Sequence, residues 1–135
     1  MIVYRDELSE IAALKLTGFF EGWPDPPSPE THLRILQGSD HVVLALDSAS
    51  DRVVGFVNAI SDGVLSASIP LLEVLPAYRG QGIATELMRR MLARLESLYM
   101  VDLVCDSELE AFYRRFGMRP ALGMVLRNTA RQSGA

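Results

Sequence analysis

The chain has 135 residues, of which 49 % are hydrophobic and 22 % charged, and this balance predicts one ordinary globular domain over 1–135. Its net charge of −4 argues against a nucleic-acid partner, since such proteins carry a basic face. No apolar run approaches the roughly 18 residues that cross a bilayer, so no membrane role is expected.

The opening "MIVYRDELSE" has neither a basic n-region nor an apolar h-region, so the reading is of a cytoplasmic protein. Residues 1–5 predict a short strand. From Asp6, the spacing of Leu8, Ile11, Ala12, Leu14, Leu16 and Phe19 predicts a helix, with Asp6 or Ser9 as its cap. "GWPDPPSPE" ends it. Ser28, Pro29 and Glu30 then read as cap, first helical residue and an acid at the positive helix end, opening a helix that runs to Gln37 and stops at Gly38. His32 on that helix reads as a surface polar residue.

"HVVLALD" and "RVVGFVNAI" predict a hairpin joined by "SASD". A turn at "SDG" leads to "VLSASIPLLEVL", a third and longer strand. Residues 82–98 place Ile83, Leu87, Met91, Leu95 and Leu98 on one helical stripe, with Glu86 and Arg90 paired on another face. "YMVDLVC" predicts a strand in which the lone Cys105 is a small buried residue. "SELEAFYRRFG" predicts a short helix ending at Gly117, and "LGMVLRN" a last strand before a frayed tail. The order is α/β with a mixed sheet: an antiparallel meander, then a β-α-β-α-β half whose crossover at 69–105 is parallel and right-handed.

The chemistry concentrates in "VLPAYRGQGIAT", residues 74–85, at the mouth of the stripe helix. The first four N–H groups of a helix lack partners and its dipole makes that end positive, so phosphates bind there. Gly80 and Gly82 remove Cβ atoms from the approach and allow left-handed φ. Thr85 offers a hydroxyl and Arg79 a planar donor fork. A ligand-free glycine-rich connection would also explain the stretch. Walker A fails for want of a lysine after Gly82, and the dinucleotide G-x-G-x-x-G fails at Thr85.

Arg79-Gly80-Gln81-Gly82-Ile83-Ala84 resembles the [Q/R]-x-x-G-x-[G/A] signature of the GNAT superfamily of N-acetyltransferases, and "LLEVLPAY" resembles that family's strand-plus-proline lead-in. "AFYRRFGMRP", with Tyr113, Phe116, Gly117 and Met118, resembles its second motif, and the order of elements agrees along the whole chain. The resemblance implies acetyl-CoA as cosubstrate; no His, Cys and Asp spacing in the chain suggests a metal site, so no metal is expected. Its pyrophosphate would lie on Arg79, Gly80, Gln81, Gly82, Ile83, Ala84 and Thr85. The pantetheine arm would pair with the backbone of Val74 and Leu75, where an N–H polarises the acetyl carbonyl. Tyr113 matches the family's tyrosine that hydrogen-bonds the sulfur. A thiol titrates at about 8.5 and a phenol at about 10, close enough to share a proton. Packing on the core alone would also account for Tyr113. The family's frequent asparagine seven residues earlier is Asp106 here, which also reads as a helix cap.

An alkylamine acceptor, with a pKa of about 10.4, must lose a proton before it attacks. Glu73 is the candidate base, against the plain reading of a solvent-facing strand residue. On the acceptor side the resemblance points to "GFFEGWPDPPSPE", where Phe20 and Trp23 would wall the pocket and Glu21 or Asp25 attract a cation, while Phe19 belongs to the core. The expected function is transfer of acetyl from acetyl-CoA to a small-molecule or peptide amine in a ternary complex, by a monomer or homodimer. A non-catalytic acyl-CoA-binding regulator and a nucleotide-binding module are the rivals.

Overall fold

The computed structural model describes all 135 residues. β1 (Ile2–Arg5), β2 (His41–Asp47) and β3 (Arg52–Ser61) are antiparallel neighbours. β4 (Ser66–Ser68) and β5 (Leu72–Val74) both pair antiparallel with β3, and β6 (Met100–Asp102) pairs parallel with β4. The meander and the parallel crossover expected from the sequence are thus both formed. No helix is long and apolar enough to cross a membrane.

α1 (Pro29–Gln37) and α2 (Ile83–Arg94) cover opposite faces of the sheet. Gly55 and Phe56 are successive residues of β3, so they point to opposite faces. A Cβ on Gly55 would stand 3.1 Å from Leu87 and 3.2 Å from Ile83 of α2, whereas the Phe56 ring lies 4.4 Å from that of His32 on α1. Coverage on both faces explains why β2 and β3 are buried almost without alternation. α1 begins and ends as its sequence dictates. Ser28 accepts from the Thr31 N–H at 3.1 Å, Pro29 is the first helical residue, and the Gly38 N–H donates to the Arg34 carbonyl at 3.0 Å.

The expected helix over 6–19 does not form. Only Ala13–Leu16 makes a tight 3-10 turn, because Glu10 (φ 64°) and Gly18 (φ 94°) take left-handed backbone that no helix can continue. Ile11, Leu16 and Phe19 still enter the core from this irregular path, while Leu14 is 83 % exposed. α2 stops at Arg94 rather than 98, and the strand of 99–105 shrinks to Met100–Asp102. α3 (Glu110–Arg114) follows a 3-10 turn at Ser107–Leu109, and the chain ends it at Gly117 with φ 85°. The last strand does not form: residues 119–128 belong to no element and are exposed. His32, expected at the surface, is fully buried among Phe19, Phe20 and Phe56, because α1 turns that face onto the sheet. Cys105, expected buried, is exposed, because β6 has ended before it.

The third long strand is in fact two. Register runs Val57↔Leu72 on one side of the break and Ile60↔Ser68 on the other, so Asn58 and Ala59 oppose three residues, Ile69, Pro70 and Leu71. This is a β-bulge, placed where Pro70 lacks an N–H. The buried Asn58 closes it. Its backbone N–H donates to the Leu71 carbonyl at 3.2 Å, its Oδ1 accepts the Leu71 N–H at 3.1 Å, and its Nδ2 donates to Ser39 Oγ at 3.0 Å. The side chain thereby replaces a missing rung of the ladder. Asn58→Ala leaves the Leu71 N–H without its acceptor and is expected to cost about 1–3 kcal/mol, read as a lower urea midpoint with little change in slope.

Candidate active site

The bulge sets the site. β4 pairs with β6 from Ser66↔Met100 as far as Ser68↔Asp102, and a last bond runs from the Ile69 N–H to the Asp102 carbonyl at 3.0 Å. Beyond it β5 and residues 103–106 diverge. Between them lies a cavity of about 280 Å³, bordered by Leu72 and Glu73 on one side and Val104, Cys105 and Asp106 on the other, with Phe20, Trp23 and Tyr113 completing it. That is below the ~300–1,000 Å³ of whole-ligand pockets and suits the reacting ends of two molecules.

β5 presents backbone to this cleft. The Leu75 N–H donates to the Val54 carbonyl at 2.8 Å, so antiparallel alternation turns the backbone groups of Leu72 and Val74 away from β3. The Val74 carbonyl accepts Arg79 Nε at 3.0 Å, which leaves its N–H toward the cleft. Of the two residues expected to pair with a pantetheine arm, Val74 is therefore suitably turned. Leu75 has spent its N–H on Val54 and its carbonyl on Tyr78. Leu72 is the neighbour with the same outward backbone, and strand phase alone could not choose between them.

At the mouth of α2, Gly80 and Gly82 both adopt left-handed φ, 78° and 81°, and a Cβ at either would meet nothing within 4 Å. The six successive amides of Gly80, Gln81, Gly82, Ile83, Ala84 and Thr85 donate to no backbone or side-chain acceptor, and Gly82 offers no side-chain cap. The turn is thus a row of free donors at a positive helix end, with open space before two of them. Arg79 stands beside it, its Nη2 2.7 Å from Glu21 Oε2. Arg115, overlooked in the sequence, reaches Thr85 Oγ1 at 3.4 Å from α3 and adds a second guanidinium there. These donors fit a pyrophosphate.

Glu73 ties the irregular first loop to β5. Its Oε1 accepts the Phe20 N–H at 2.9 Å and its Oε2 the Glu21 N–H at 3.3 Å. This clamp holds Phe20 at φ 64°, a strained value for an aromatic residue, and so seats its ring against Trp23 at 4.9 Å. Each carboxylate oxygen keeps acceptor capacity after these bonds. Phe20 is buried and Trp23 partly exposed, and both border the cavity. Tyr113 borders it from α3. Burial, and then the Cys105 thiol nearby, raise its hydroxyl above the usual phenol range, so it is a proton donor at neutral pH. Asp106 does not use its carboxylate as a cap and borders the cavity instead. Asp25 is turned to the C-terminal tail, its N–H donating to Gln132 Oε1 at 2.8 Å. His41 lies away from the site, accepting Arg94 Nε at 3.2 Å.

The sequence model of the acetyltransferase (GNAT) family matches residues 8–118. The chain belongs to that family. Among solved structures similar to this GNAT chain is that of a provisionally named acetyltransferase from Deinococcus radiodurans R1, 49 % identical, covering 99 % of this chain and 93 % of its own, with a TM-score of 0.96. A GNAT-family acetyltransferase from Streptococcus pneumoniae is 28 % identical, covering 95 % of this chain and 98 % of its own, with a TM-score of 0.77. A protein named histone acetyltransferase TAP1, from Glycine max, is 28 % identical over 108 residues, 71 % of this chain and 46 % of its own length. The chain spans about half the length of the curated relatives it matches.

His32 forms the floor behind Phe20 and Phe56. Both ring nitrogens are buried without a hydrogen-bond partner, and burial holds its pKa down at about 4 against an ordinary 6.5. The folded state therefore keeps it neutral where the unfolded chain binds a proton. Stability is fully present above pH 6.5 and is lost as pH falls toward 4, by an amount on the order of 3 kcal/mol. His32→Leu should flatten the part of the stability profile between those values, measured as urea midpoints at a series of pH values.

Proposed function

We propose that this GNAT-family chain transfers acetyl from acetyl-CoA to an amine by direct attack in a ternary complex. The observation that carries the reading is the cleft opened by the Asn58-closed bulge, with Tyr113 and Glu73 lining its cavity, the outward-turned Val74 N–H next along β5 and the free amides of the α2 turn following in sequence. Acetyl-CoA would supply an activated thioester.

The chain's own residues divide the remaining work. The amides of Gly80–Thr85, with Arg79 and Arg115, hold the pyrophosphate. Arg79 has N–H groups beyond the two it now uses, so it need not release Val74 to bind an anion. Leu72 and Val74 hold the pantetheine arm by their backbones, and the Val74 N–H donates to the acetyl carbonyl oxygen as charge gathers there. Phe20 and Trp23 wall the acceptor. Glu73 takes the amine's proton, directly or through water. The amine nitrogen bonds to the carbonyl carbon as the carbon–sulfur bond breaks, Tyr113 gives its hydroxyl proton to the departing sulfur, and the second proton shed by the nitrogen returns through water to the Tyr113 phenolate.

Tyr113→Phe tests this division, because it removes one hydroxyl and little packing. General acid catalysis contributes about 10²–10⁴-fold, so kcat should fall by ~10²-fold or more, while Kd for CoA stays within a few-fold. Unchanged turnover across a panel of amines and amino-terminal peptides would remove Tyr113 from the mechanism. A thermal-shift screen supports the ligand assignment if CoA and acetyl-CoA raise Tm by several degrees at saturating concentration and ATP and NAD do not. A larger shift with ATP or NAD would move the reading to a nucleotide-binding module.

A further inference from the structure

The cavity carries a charge that the transfer chemistry does not use. Glu73 and Asp106 bring carboxylates to its border, and Arg127 brings the one cation, from a segment that belongs to no helix or strand. Arg127 pairs with neither acid, although all three border one space, whereas Arg79 and Arg114 are spent on Glu21 and Glu110 at 2.7 and 2.9 Å. Other arginines of the chain are unpaired too, but none of them borders the cavity. The segment is held in place. Just after Arg127, Thr129–Arg131 form a 3-10 turn, Gln132 Oε1 accepts the Asp25 N–H at 2.8 Å, and Gly134 lies beside Thr31 of α1. The loop that carries Phe20 and Trp23 thus also anchors the segment that carries Arg127, and Glu73 holds that loop in turn. Acid, aromatic wall and guanidinium keep fixed places relative to one another.

The charges select among amines. Two carboxylates against one guanidinium leave the cavity at a net −1. An alkylamine titrates at about 10.4 and so arrives as a cation. A polyamine would bring further cations up to Arg127. An amine bearing a phosphate monoester would bring close to two negative charges to a space with two carboxylates and one cation. An amine bearing a single carboxylate meets every charge with its opposite: the ammonium group faces the acids and the carboxylate faces Arg127. A planar guanidinium also matches a carboxylate through two parallel N–H donors, a fit that a lone ammonium lacks. We propose that the acceptor is an amino carboxylic acid and that Arg127 binds its carboxylate. The proposal rests on the acetyl-transfer reading above and names the substrate class of that site.

At an open surface such an ion pair would contribute little. Here Phe20, Trp23 and Leu109 border the same space, so a seated substrate excludes water and the charged hydrogen bonds strengthen. Arg127 acts on acceptor binding and touches no reacting atom. Transfer turns the ammonium nitrogen into a neutral amide, so the product keeps only its negative charge beside Glu73 and Asp106. It is therefore held less tightly than the substrate, which favours its release.

Calorimetric titration of the CoA-saturated protein tests this without turnover. The probes are the common α-amino acids and a short series of ω-amino acids, each with its amide and its decarboxylated amine, together with O-phosphoethanolamine. At least one amino acid should bind roughly 10–100-fold more tightly than its own amide and amine. Arg127→Gln should remove that preference and leave amide binding within about twofold, while Arg127→Lys should restore part of it. In acetyl transfer from acetyl-CoA the Gln variant should raise KM for the acid and leave kcat within a few-fold. Amides or amines that bind as well as their acids, O-phosphoethanolamine as the tightest probe, or an Arg127→Gln variant that keeps the preference or weakens acid and amide equally would each overturn the proposal. If the Gln variant does not fold, the acid-to-amide ratio of the unaltered protein decides. A chain that gains Tm with CoA but prefers amides would lose the role of Arg127 alone. A chain that CoA does not stabilise, titrated without it and still preferring acids, would keep that role and reject the transfer.

Discussion

Everything at the site follows from one buried amide. A strand that runs past Pro70 must lose a rung, and the Leu71 N–H would be left without an acceptor inside the sheet. Asn58 supplies that acceptor from β3, and its backbone returns a bond to the Leu71 carbonyl. The bulge is thus satisfied rather than merely tolerated. Its extra residue turns β5 away from the line of β4, and β6, which follows β4, can no longer follow β5. The parting of the two strands is a cleft with main-chain donors and acceptors along its side. A regular strand over 64–75 would have paired with residues 103–105 and closed it.

Around that cleft, charged groups act mainly as ties between segments that regular hydrogen bonding does not reach. Glu73 fastens the turn at Phe20 and Glu21 to β5, and Arg79 fastens Glu21 to the Val74 carbonyl. The first loop is long, left-handed in places and short of ladder bonds, so these two side chains fix its position over the cavity. The Arg79–Glu21 pair is half exposed at both ends, which makes it a weak tie and one that an arriving phosphate can compete for. Beside Val74, Gly55 of β3 lets α2 sit close to the sheet, which brings the free amides of residues 80–85 near the end of β5. Loop and helix mouth meet at β5 because Glu73 ties the one and the Val74 carbonyl, through Arg79, ties the other.

The elements that were legible in the sequence are those whose signals are local. Ser28, Pro29 and Gly38 bound α1 by capping chemistry within a few residues. The hairpin of β2 and β3 follows from β-branched runs around a short turn, and Gly80 and Gly82 announce a left-handed turn before a helix. The errors have one physical source. Ile11, Leu16 and Phe19 do enter the core, but helical spacing cannot report that Glu10 and Gly18 turn left-handed to do so. His32 looked polar because nothing in "PETHLRILQ" states that Phe19, Phe20 and Phe56 close over it. Arg115 and Leu72 do not stand out in the sequence because the contact of Arg115 with Thr85 and the outward backbone of Leu72 are set by the fold.

By itself, then, the sequence determined the element order, the capped helix, the glycine turn with its neighbouring arginine, and the tyrosine that the family resemblance marks. These depend on backbone preferences and spacing that act over a few residues. The tertiary structure alone decided that the third strand breaks, that β5 and residues 103–106 part, that Glu73 holds a loop as well as facing the cavity, and that the last apolar segment joins no strand. Each of those outcomes turns on whether a particular N–H, carbonyl or apolar side chain is met by another group from a distant part of the chain, and such a meeting has no signature in local sequence.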